Sequence, residues 1–161
     1  MSLALVDPLL ALEHTHENLS KVIAILSRVV AQARKEIAPS EVEWNTFAEK
    51  LAILQEELVQ CFAREEEGLF PYIRERMPAL RAKIDHLISA HDAMCSTLAR
   101  LNHAVACARG HRFEEQTLAL FERFEAMHVQ HARDESALLH ALGHALDGSQ
   151  RVEVAALLEG L

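Results

Sequence analysis

A chain of 161 residues, 50% hydrophobic with five glycines and four prolines, suffices for one well-buried domain but not two ordinary ones; disorder and a turn-rich all-β fold are both excluded. Its formal charge of −8, with no basic cluster, argues against nucleic acid as a partner. Ten histidines in such a chain are an excess and the first pointer to metal chemistry.

The opening stretch, Met1 to Leu12, is apolar but carries Asp7 and Pro8 and lacks a basic segment, so it does not read as a signal peptide. Asp7-Pro8 is a helix start, with a side-chain oxygen to cap and proline in the first turn. The first helix is predicted from about Pro8 to Ile37. Its inward stripe is Leu9, Leu12, His16, Leu19, Ile23, Leu26 and Val30, and its one polar member is His16.

Pro39 ends that helix and Ser40-Glu41-Val42-Glu43 is a capping box that opens the second. The next stripe reads Phe47, Leu51, Leu54, Leu58, Cys61, Glu65, Gly68, with Pro71 expected to kink or end the helix. Of the run Glu65-Glu66-Glu67, only Glu65 falls on the apolar face. The third helix is predicted over about Ala79 to Cys107 with His91 the polar member of its stripe, and Gly110 is a natural terminator. The fourth spans about Arg112 to Leu142 with the stripe Phe121, Phe124, His128, His131, Glu135, Leu138, Leu142. Gly143, Asp147 and Gly148 are expected to break it before a short terminal helix running to Glu159.

Short connections imply antiparallel neighbours, so the predicted fold is all-α: a single up-and-down four-helix bundle over about residues 8–142, with a short C-terminal helix in the extension 143–161. Heights can be compared by counting outward from each connection. His16 and Cys61 lie about 22 residues from the first, and His91 and His131 about 20 from the last. Across the middle connection Glu65 and His91 agree within roughly 5 Å at 1.5 Å per residue. Six side chains, His16, Cys61, Glu65, His91, His131 and Glu135, are therefore expected in one layer, and His131 and Glu135, four apart, share a helical face. Buried imidazoles and carboxylates without partners are costly, and two carboxylates with several imidazoles suit two iron or manganese ions better than one structural zinc. Cys61, Cys95 and Cys107 have neither disulfide nor zinc-finger spacing, which fits a reducing, cytoplasmic compartment.

At these residues the sequence resembles the hemerythrin-like (HHE cation-binding) family, most specifically in Glu65-Glu66-Glu67-Gly68-Leu69-Phe70-Pro71-Tyr72 and in the order of its polar residues. The resemblance implies a non-haem diiron centre with His16, Glu65, His91, His131 and Glu135 as ligands, the two glutamates as bridges, and dioxygen, nitric oxide or peroxide as the small molecule handled. Cys61 departs from it, standing where the family has His. Three readings are open: Cys61 ligates as a thiolate; His128, on the same stripe as His131, supplies the missing imidazole; or the site holds one ion or has degenerated.

A carrier or sensor of a small molecule is the expected function. An oxidoreductase consuming peroxide or nitric oxide on the same scaffold is the alternative, and a metal-poor bundle acting through a protein partner or a second copy is another. A ferritin-like arrangement built on Glu13-x-x-His16 and Glu125-x-x-His128 would leave His91, His131 and Glu135 without a role on the inner face.

Overall fold

The computed structural model of the protein describes residues 7–159. Residues 1–6, on which part of the signal-peptide reading falls, lie outside them. Among the described residues there is no strand. The α-helices are α1 (Pro8–Arg34), α2 (Glu41–Arg64), α3 (Phe70–Arg76), α4 (Arg81–Cys107), α5 (Glu115–Ala145) and α6 (Gly148–Glu159). A π-helical segment at Glu65–Leu69 joins α2 to α3 without a break, and a 3-10 turn at Pro78–Leu80 leads into α4. The four rods of the bundle are thus α1, α2 with its continuation, α4 and α5; contacts of α1 with α2, α2 with α4, α4 with α5 and α5 with α1 close the ring.

The start signals act as the sequence implies. Asp7 caps α1, accepting from the Leu9 N–H at 3.1 Å, and Ser40 and Glu43 form a reciprocal capping box at α2. The ends differ from expectation. Helix α1 stops at Arg34, and Glu36 then takes a positive φ of 61° that turns the chain. Helix α4 ends at Cys107 with Ala108 in extended conformation, and Gly110 serves the following loop with a φ of 69° instead of terminating the helix directly. Helix α5 runs through Gly143 to Ala145, because a lone glycine weakens a helix without forbidding it.

The second rod carries the main local departure. Pro71 has no N–H to offer the carbonyl of Glu67, and the chain answers with one wide turn, in which the Phe70 N–H bonds the Glu65 carbonyl five residues back. That turn begins at Glu65 itself.

Two apolar clusters fill the bundle. The first holds Leu26, Leu51, Leu54, Leu58, Met94, Leu98, Leu101, Phe121 and Phe124, and is closed by Trp44, whose ring lies 4.8 Å from that of Phe113. The second holds Leu9, Leu12, Leu69, Phe70, Ile73, Ile84, Leu87, Leu138 and Leu142. Helix α6 packs on the π segment and on α1, and buries Val154 in this second cluster. Between the two clusters lies a buried polar layer. No helix among the described residues is long and apolar enough to cross a membrane.

Candidate metal centre

Seven polar or charged residues are buried among the described residues, and five of them, Glu65, His91, His128, His131 and Glu135, come from the predicted site stripes. His16, at 18% side-chain exposure, is the solvent edge of the layer.

Glu65 is its hub. One oxygen, Oε1, lies 3.0 Å from His16 Nε2 and 3.3 Å from Cys61 Sγ, and those two are 3.2 Å apart, so His16, Cys61 and Glu65 form one compact set of donors. The other oxygen, Oε2, lies 3.2 Å from His91 Nε2 and belongs to a second set with His91 and His131. In each set the ligating atoms all lie within 4.8 Å of one another. Glu135 stands beside both sets: its Oε2 is 3.0 Å from His16 Nδ1 and 3.3 Å from His131 Nε2.

The two glutamates are therefore not equivalent. Glu65 starts the wide π turn and reaches both sets; Glu135 sits in an unbroken α-helix and faces the rings from the side. His128 is buried and its ring stacks on Phe124 at 6.4 Å, but it enters neither set. The ferritin-like pairs do not assemble: Glu13 is exposed and Glu125 accepts the Ser27 hydroxyl. Of the remaining histidines, His86 lies 3.5 Å from Asp134, and His140 and His144 meet edge to face with ring centroids 4.7 Å apart.

Two neighbours escaped the sequence reading. Glu66, which an ordinary α-helix would turn away from the core, accepts from His91 Nδ1–H at 2.6 Å, fixing the tautomer that presents Nε2 to Glu65. Phe62, next to Cys61, stacks flat on His91 with ring centroids 3.7 Å apart and meets His131 edge-on at 5.3 Å. Both lie on or beside the wide turn's approach, and the run of three glutamates was the available signal for the first.

Burial opposes charge throughout the layer. It works to raise the Glu65 pKa, but His16 and His91 outweigh it and hold the carboxyl well below its usual range. Burial likewise works against charging His16 and His91, and the facing carboxylates more than offset it, so both are raised. Burial and then the charges of Glu65 and Glu135 push the Cys61 thiol up, and burial with the charge of Glu65 raises Glu135. His128, buried and close to two other imidazoles, falls to about 4.

The set has the mark of an ion-binding site. Glu65 Oε2, His91 Nε2, both ring nitrogens of His131 and Glu135 Oε1 are buried without a hydrogen-bond partner. Such groups cost about 1–3 kcal/mol each when left unsatisfied, and native proteins keep few of them. A cation held by Glu65, His91 and one ring nitrogen of His131 would take up the lone pairs on those three residues together. A groove between α1 and α5, lined by Glu13, Glu17, Ser20, Lys21 and Ser136, leads from solvent to His16.

A family model described as the hemerythrin HHE cation binding domain matches residues 7–143, which includes every residue of the layer. No match was found among curated proteins or among solved structures.

Proposed function

The chain belongs to the hemerythrin HHE cation-binding domain family, and on that premise we propose that it is a non-haem iron protein with two metal positions sharing Glu65, and that it binds or senses dioxygen or a related small molecule such as nitric oxide or peroxide. The observation that carries this reading is the convergence of unpartnered, buried imidazole and carboxylate atoms around one glutamate whose two oxygens face two different donor sets.

In this reading His16, Cys61 and Glu65 would hold one ion, and Glu65, His91 and His131 the other, with Glu135 beside both sets. Iron, when bound, supplies open coordination positions and an accessible change of oxidation state. The protein's own residues do the rest. Glu66 keeps His91 in the tautomer whose Nε2 points inward, and the flat stack of Phe62 on His91 fixes the ring plane. Phe62, Phe70, Met94 and Phe124, all buried, keep the inner side dry, so water competes weakly with a small neutral ligand. Entry is at the His16 edge, past Glu13 and Glu17.

His128 contributes packing rather than an ion contact, so His128→Ala is expected to keep the wild-type metal content, measured by elemental analysis. Loss of about half of the metal would reinstate it as a ligand.

The function itself is tested on protein loaded with ferrous iron without oxygen. Adding dioxygen or nitric oxide is expected to produce a new absorption band in the near-ultraviolet or visible range that fades when the gas is removed. An iron-loaded protein whose spectrum ignores both gases would contradict the reading. Sustained consumption of peroxide with an added electron donor would move the assignment to the oxidoreductase.

A further inference from the structure

The two donor sets that share Glu65 are chemically unlike. One offers an imidazole, a sulfur and a carboxylate oxygen: His16 Nε2, Cys61 Sγ and Glu65 Oε1, mutually 3.0–3.3 Å apart. The other offers two imidazoles and a carboxylate, His91, His131 and Glu65 Oε2, with no sulfur. Two histidines and one carboxylate with further positions open are a donor set that suits ferrous iron. Sulfur with imidazole and carboxylate, at a corner where three protein donors leave one position free, suits zinc, which accepts Cys, His and Glu together in a tetrahedron.

Cys61 is well placed to act as a donor. The residue is 2% exposed, with its sulfur in contact with His16 and Glu65 and directed into the layer. A pure packing role would not need it to face the single oxygen that His16 also contacts. On the other side of the shared carboxylate, Glu65 Oε2 and His91 Nε2 are buried and face each other at 3.2 Å without a hydrogen bond, which marks the sulfur-free set as a site in its own right.

We propose that the centre is heterodinuclear: the position built by His16, Cys61 and Glu65 selects a thiophilic divalent ion of the zinc class, while the position built by His91, His131 and Glu65 takes iron. This rests on the non-haem iron reading and deepens it. The identity of residue 61 then sets the metal composition. A histidine there would make both positions nitrogen and oxygen sites and remove the distinction; the thiolate creates it. The zinc-class ion would serve as a fixed charge beside the iron, since it has no redox chemistry of its own.

The test is elemental analysis of the full-length chain, produced without a histidine tag in medium supplying both iron and zinc, for wild type and Cys61→His. Wild type is expected to hold about one zinc and about one iron per chain, and Cys61→His to lose zinc at least about tenfold while iron rises towards two. A second readout does not depend on the loaded iron. Metal-free wild type titrated with Co2+ is expected to show a sulfur-to-cobalt charge-transfer band in the near-ultraviolet, and Cys61→Ser, which keeps a hydrogen-bond donor of similar size, is expected to lack it.

Two irons and no zinc in wild type, or cobalt-loaded wild type without the sulfur band, would overturn the heterodinuclear centre and leave the iron reading standing. Zinc without iron, with the sulfur band present, would overturn the iron reading and leave the assignment of the sulfur position intact. A wild-type chain that binds no metal at all would overturn both.

Discussion

Replacing Glu65 with glutamine is expected to empty both proposed metal positions at once, lowering total bound metal at least about tenfold against wild type in the same medium. Glu65 is the only residue common to the two donor sets, with Oε1 turned to His16 and Cys61 and Oε2 to His91. Glutamine keeps the volume but removes the charge, and its NH2 group places a donor where one of the ions needs an acceptor. The comparison that separates this from general damage is Glu66→Gln. Glu66 touches His91 Nδ1 and neither donor set, so its loss is expected to weaken only the sulfur-free position, by the 10–100-fold typical of partners behind a metal ligand. Equal losses in the two variants would show that Glu65 is not shared.

Stripping the metal is expected to lower the thermal midpoint by about 8–16 °C. An ion held at a free concentration near a thousand times its dissociation constant contributes about 4 kcal/mol to the folded state, and for a chain of this size each kcal/mol is worth about 2–4 °C. In the metal-free protein the layer keeps its cost: Glu65 Oε2 and His91 Nε2 face each other at 3.2 Å without a hydrogen bond, and His131 and Glu135 Oε1 are buried without one. Two apolar clusters flank that layer, so the bundle is expected to stay helical without the ion and to melt earlier, not to unfold outright. Circular dichroism melts before and after chelation, and again after metal is restored, check this. An unchanged midpoint would show that the polar layer is satisfied without an ion.

Much of this centre was legible in the sequence, for one physical reason. Helical rise and twist are nearly constant, so a polar residue on an apolar stripe declares its face, and its count from a short connection declares its height. His16, Cys61, Glu65, His91 and His131 come together in the structure as those counts imply. The same rule shows where legibility stopped. His128 shares the stripe of His131 but sits about one turn nearer Phe124 and stands outside both donor sets, which the stripe alone does not tell.

Glu66 was invisible because on a regular α-helix neighbours point about 100° apart, and Glu65 already claimed the inward face. The π turn alters that spacing, and its cause, Pro71, reads from sequence only as a kink or an end. Without a matching proline in α5, Glu135 does not repeat the position of Glu65, so the layer has one shared carboxylate and one that faces both sets from outside. The capping of α1 and α2 was legible because it is local; the end of α5 was not, since packing of Leu142 and Leu146 in the second cluster carries the helix past Gly143.

The most direct test of the account is the metal content of the wild-type chain, produced without a histidine tag with iron and zinc supplied and analysed per mole of protein. The account predicts about two ions per chain, at least one of them iron. Near-absence of metal in every preparation, with the polar layer still folded, would contradict it.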